Sequence, residues 1–212
     1  MDTLTNSLSE NQRTLDTLLG VGRNYDVINR DLYVGSRKGR LYVIDGYGDD
    51  GVIERIISFL LGRGGDLAAE AADMQDFIDR CVTFCEVDCE NNVDKVLKGA
   101  FIGKTILLLE GFDYCAMIDA KQFPGRSVEE PSDGKVLRGS HDGFTETMVQ
   151  NTALLRRRIR DTHLTLESHQ VGGRSRTDVV LAYMDNQADP KDLEELRRKL
   201  EQLDVGSIAM SQ

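Results

Sequence analysis

Apolar residues along this chain recur with two periods, and the switches between them predict the order of elements. Residues 10–20 (ENQRTLDTLLG) carry Leu15, Leu18 and Leu19 on one side at helical spacing and stop at Gly20 and Gly22, which predicts a short amphipathic helix. YDVINRDLYV and RLYVIDGY are rich in β-branched and aromatic residues and flank GSRKG, the pattern of a hairpin. From Asp50, the expected cap, Val52, Ile53, Ile56, Ile57, Leu60 and Leu61 cover most of a helix circumference, so that helix must lie against a sheet. Gly62–Gly65 ends it, and Leu67 to Arg80 reads as a second, more polar helix.

The next block has the form strand, helix, strand, strand: VTFCEV, NNVDKVLKGA, TILLLEG and YCAMIDA, the last two joined at Gly111-Phe112-Asp113. A crossover helix feeding a hairpin predicts a mixed sheet with helices on at least one face. Pro124 and Pro131 bracket an extended connection, since proline cannot donate to a strand ladder. Beyond it, Phe144, Met148, Thr152, Leu155 and Ile159 share one side of a helix with Asp142 as its cap. LTLESHQV and DVVLAYM form another hairpin, Asp189-Pro190 starts a helix with Leu193, Leu196, Leu200 and Leu203 in line, and SIAM suggests a last strand. The expected fold is α/β (α+β): two small subdomains, residues 1–126 and 127–212, connected around 124–140, each a mixed sheet with helices packed on it.

Composition narrows the partners. With 212 residues, 40% apolar and 29% charged, the chain is globular, with no apolar run near the roughly 20 residues that span a bilayer. A net charge of -10 and a pI near 4.8 make nucleic acid a poor default partner. The N-terminus lacks the basic start and apolar stretch of a secretory signal, so a cytosolic setting is expected. Cys81, Cys85 and Cys89 recur every fourth position, yet only Cys115 could complete a zinc set, so buried or surface thiols are expected and no metal or other cofactor. DGYGDDG before a helix imitates a phosphate loop, but its aspartates repel an anion. With no nucleophile placed beside a base, no enzymatic activity is expected.

Positive charge is concentrated at Arg156, Arg157, Arg158 and Arg160, and continues at Arg174 and Arg176. On the helical wheel Arg156, Arg157 and Arg160 lie opposite the apolar side while Arg158 borders it, which predicts that Arg158 is the most buried and carboxylate-paired of them. Three readings of the run stand: a solvated face, a contact between subdomains or subunits, and a site for a small anionic ligand between subdomains. In the second, the arginines latch onto internal or intersubunit carboxylates, with Glu129 and Glu130 in the preceding loop as candidates, because the guanidinium fork grips a carboxylate bidentately.

The stretch FPGRSVEEPSDGKVLRGSHDGFTETMVQNTALLRRRIRD, continuing through VGGRSRTDVVLAYM, resembles the pattern of the A subunits of bacterial spore germination receptors, the GerA family. The likeness runs through Pro124, Arg126, Glu130, Pro131, Arg138, Asp142, Asn151, the arginine run, Arg174 and Asp178, and LGVGRNYDVINRDL resembles the sporulation branch of that family. The resemblance implies the soluble N-terminal domain of an inner spore membrane protein, on the cytosolic side, with a membrane domain following. It also implies other membrane subunits of a germination complex as partners, a homo-oligomer in the full-length protein, and nutrient-triggered ion movement without a hydrolytic step. The contact set expected from the residues and the family pattern together is Arg126, Glu129, Glu130, Arg138, Asp142, Arg156, Arg157, Arg158, Arg160, Arg174 and Asp178.

Overall fold

A computed structural model describes residues 3–62, 64–121, 144–173 and 176–203. The first helix, α1 (Leu8–Leu19), is capped by Ser7 and closed by Gly20, whose left-handed backbone (φ 70) returns its N–H to the last carbonyls. β1 (Val27–Val34) and β2 (Arg37–Ile44) turn at Gly35 and Ser36, so Arg37, Lys38 and Gly39, expected in the turn, belong to the strand. α2 (Asp50–Leu61) is capped by Asp49 rather than Asp50: the Asp49 carboxylate accepts the Val52 N–H at 2.9 Å. The helix expected over Leu67 to Arg80 is two, α3 (Gly64–Glu70) and α4 (Met74–Cys81), because Asp73 takes an extended backbone and caps a fresh start. β3 (Val87–Glu90), α5 (Val93–Phe101), β4 (Thr105–Leu109) and β5 (Cys115–Ile118) follow.

These strands form one sheet in the order β1-β2-β4-β5-β3, and every pairing is antiparallel. The α/β class holds, with helices packed on a sheet. The sheet is antiparallel where a mixed one was expected, because β5 lies between β3 and β4, the two co-directional strands that α5 joins. Both faces are covered. Ile106 and Leu108 of β4 meet Leu15 and Leu19 of α1 and Val96, Leu97 and Phe101 of α5, while Leu107 and Leu109 meet Ile56 and Leu60 of α2 and Phe77 of α4. That is why TILLL is apolar without alternation. Cys115 packs to the first face and Cys89 to the second, so the two thiols do not converge.

The remaining described elements are α6 (Met148–Arg158), β6 (Leu164–Val171), β7 (Thr177–Met184) and α7 (Pro190–Gln202), with β6 and β7 forming a two-stranded antiparallel sheet. They repeat the arrangement α1-β1-β2-α2. The Thr5 N–H donates to Asn11 Oδ1 (2.9 Å) and Asn11 Nδ2 donates to the Thr5 carbonyl (2.6 Å); Thr145 and Asn151 make the same pair of bonds at 2.6 and 2.7 Å. Each hairpin base is closed alike, by the Asp45 N–H on the Asp26 carbonyl and the Asp185 N–H on the His163 carbonyl. Asp49 caps α2 and Asp189 caps α7.

α7 has no buried residue and is tied to β6 chiefly through charge: Arg197 Nε and Nη2 each donate to Glu167 at 2.8 Å, and the Tyr183 hydroxyl donates to the same carboxylate at 3.2 Å. The Arg197 bonds hold the Glu167 carboxyl below its ordinary value of 4.5, against the opposing effect of burial. A depressed carboxyl contributes stability above its unfolded value, and loses it as pH falls through the folded one. Melting curves across pH should therefore show Arg197→Ala less stable than the parent at neutral pH and the difference shrinking below about pH 4.5. A constant difference down to strong acid would disconnect this ion pair from the docking of α7.

Candidate functional site

Between α1 and β1 four consecutive residues, Arg23-Asn24-Tyr25-Asp26, each reach across to α6, β6 or the loop after β7. Their placement begins at Gly20, where an added Cβ would stand 2.6 Å from Asn24 Nδ2, so only glycine lets the chain turn tightly enough to bury Asn24. Asn24 Nδ2 donates to the Leu19 carbonyl at 2.8 Å, and its Oδ1 accepts the Leu166 N–H at 2.9 Å. The Tyr25 N–H returns a bond to the Leu166 carbonyl at 3.0 Å, and the Tyr25 hydroxyl lies 2.6 Å from Thr152 Oγ1. Arg23 pairs with Asp185 at 3.1 Å.

Asp26 carries the centre. Arg156 grips it through both Nε and Nη2, the latter at 2.8 Å, and turns Nη1 to the Leu164 carbonyl at 3.3 Å. The guanidinium carbon sits 5.1 Å from the centre of the Phe101 ring. Arg156 and Asp26 are each 1% exposed, so this is a buried, bidentate ion pair roofed by an aromatic ring. Burial pushes the Tyr25 hydroxyl up, partly offset by its bond with Thr152. It also pushes Tyr47 up to about 12, with the Arg156 charge opposing. Asp45 is raised too, first by burial, then by the nearby charges of Asp50 and Asp26, while the Gly46 N–H opposes.

The buried side of α6 differs from the expected one. Thr152, Ala153 and Arg156 are buried, while Phe144 is 66% exposed and Ile159 falls past the helix end. Arg156, expected opposite the core, is the buried arginine, and Arg157, Arg158 and Arg160 are exposed. Gly46 explains the rotation: with φ 79 and no side chain it lets α6 approach until a Cβ would lie 2.9 Å from Val149 Cγ1 and 3.2 Å from Ala153 Cβ. The helix therefore docks on its smallest residues, and the long Arg156 side chain follows that stripe inward. Asp178 is exposed and accepts a bond from Gln170 Nε2 within the hairpin. Arg126, Glu129, Glu130, Arg138, Asp142, Arg174 and the SIAM run lie outside the described residues, and Thr147, not Asp142, holds the N-cap position of α6. Asn24, Tyr25 and Asp26, absent from the expected contact set, supply the partners.

Beside these contacts a cleft of about 540 Å³ is lined by residues 21–25 and 27–29 on one side and Glu167 and Ser168 on the other. Its charged groups are committed, Arg23 to Asp185 and Glu167 to Arg197. Among the described residues no helix is long and apolar enough to cross a membrane.

Residues 13–212 match the model of the family described as Bacillus/Clostridium GerA spore germination protein. The chain belongs to the GerA family. It is 31% identical to stage V sporulation protein AF of Bacillus subtilis (strain 168), over 96% of this chain and 41% of that protein, and 27% identical to spore germination protein B1 of the same organism, over 96% and 42%. It thus spans about two fifths of the length of these relatives. The solved N-terminal domain of the A subunit of the Bacillus megaterium spore germinant receptor GerK3 shares the fold, with a TM-score of 0.74 and 24% identity over 95% of this chain and 74% of that one. Within the GerA pattern, Asn151 folds the start of α6 and Arg156 supplies the buried charge.

Proposed function

We propose that the chain is the N-terminal domain of a spore-membrane germination protein, standing on the cytosolic side of the inner spore membrane. It acts in the assembly and signal transmission of a germinant receptor or ion-conducting germination complex. In this reading residues 1–126 and 127–212 are subdomains, and the pair Asp26–Arg156 holds them in one relative orientation. The partners are the other membrane subunits of the complex and further copies of the full-length protein, reached through Arg157, Arg158, Arg160 and Asp178, with Arg126, Glu129, Glu130, Arg138, Asp142 and Arg174 as further proposed contacts. No catalytic step belongs to the domain.

The buried bidentate pair, in a family named for spore germination, carries the reading. Two packed bodies transmit a displacement only when their contact has discrete arrangements, and a desolvated ion pair is either made or broken. The test is spore germination with the full-length protein carrying Arg156→Lys, which keeps the charge and loses the bidentate fork. Normal protein level with slowed germination is expected. Wild-type germination at wild-type level would reject a role for the contact in signalling.

A second reading, a module that binds a small anion between the subdomains, rests on the cleft beside residues 21–29. Arg23 is its positive group, and Glu167 opposite weighs against an anion.

A further inference from the structure

The internal repeat exposes an asymmetry. In the first unit β2 does not end the sheet: Arg40 and Tyr42 pair with Leu108 and Ile106 of β4. Their counterparts in the second unit are Val180 and Ala182 of β7. Leu166 spends its N–H and carbonyl on Asn24 and Tyr25, away from β7, and it stands opposite Ala182. In an antiparallel ladder such a pair points both sets of backbone groups outward, so Ala182, and Val180 two residues before it, face away from β6. Among the described residues β7 has no neighbour but β6.

The helix above this edge shows the same incompleteness. Ile56 and Leu60 of α2 are 5% and 0% exposed, whereas their counterparts on α7 are Leu196, 44% exposed, and the half-buried Leu200. Leu41 is buried and its counterpart Leu181 is half-buried. Among the described residues the second unit has no counterpart of β4, an uncharged apolar strand. β4 begins at Thr105, far beyond the end of α2 at Leu61, and the curated relatives, of which this chain spans 41% and 42%, carry more polypeptide than it does.

We propose that the outer edge of β7, with the adjoining face of α7, is a docking site for a short apolar β-strand antiparallel to β7, contributed by polypeptide that follows α7 in the same molecule. Backbone groups of Val180 and Ala182 supply the pairing, and Leu196 and Leu200 cover one face of the incoming strand. This rests on the repeat and is independent of any role in germination.

The test compares backbone amide exchange at Val180 and Ala182 in this 212-residue chain and in a full-length protein that continues beyond residue 212, purified alone and diluted in steps. Fast exchange is expected in the shorter chain, and exchange slower by on the order of 100-fold in the longer one at every concentration. Equal exchange in both overturns the proposal. So does protection that appears only on concentration, which points to a second copy, or only on adding other subunits. A reading frame that ends at residue 212 also overturns it. Val180→Pro separates docking from folding, since an open edge tolerates proline: the shorter chain should melt almost unchanged, and the longer one should lose the protection at Ala182.

Discussion

Replacing Arg156 with alanine should destabilise this chain by about 3–5 kcal/mol, because the substitution strands the Asp26 carboxylate without its partner in an interior that excludes water. For a domain of this size that is a fall in melting temperature of roughly 6–20 °C. The loss has three sources: both bonds to Asp26, the bond to the Leu164 carbonyl, and the stacking over Phe101. Arg158→Ala removes an exposed side chain and should cost about 0–1 kcal/mol. Melting both variants beside the parent decides the matter. Equal, small shifts would show that the guanidinium of Arg156 is not committed to Asp26.

Gly46→Ala should also destabilise the chain, by loosening the approach of α6 to the hairpin whose base holds Asp26. The position combines a left-handed backbone with a Cβ that would stand 2.9 Å from Val149 Cγ1 and 3.2 Å from both the Val149 carbonyl and Ala153 Cβ. Backbone strain and the push on α6 together predict about 1–3 kcal/mol. The effect should couple to Arg156, since any retreat of α6 lengthens the reach to Asp26. In Arg156→Ala, where that reach no longer matters, Gly46→Ala should cost less than in the parent. Full additivity would show that the helix approach and the ion pair are independent.

The elements themselves were legible from periodicity and punctuation. Both hairpins, the heavily apolar α2, the crossover helix α5 and the Asp189-Pro190 start of α7 each carry a local signal that the tertiary structure leaves alone. Pairing was less so: nothing in YCAMIDA says that β5 inserts between β3 and β4 instead of extending the sheet outward. The arginine at the centre was missed because the wheel of α6 was oriented by its apolar residues. That rule fails where glycine on the partner lets a helix dock on Thr152 and Ala153. The acidic partner was sought in the neighbouring loop at Glu129 and Glu130, while Asp26 lies far away in sequence, and one strand-leading aspartate carries no sign of burial. A signal for the repeat was present: TNSLSEN and TETMVQN share the threonine, hydroxyl and asparagine positions that fold the starts of α1 and α6.

The central claim is that Asp26 and Arg156 act as one unit joining the chain's two halves, and a double-mutant cycle on unfolding free energy tests it most directly. Asp26→Asn and Arg156→Met each leave one partner buried alone, whereas the double variant removes both charges together. A coupling of about 3–5 kcal/mol is predicted, at least as large as the larger single loss, with the double variant at least as stable as either single one. Additive losses, with the double variant falling by the sum of the two, would contradict the account.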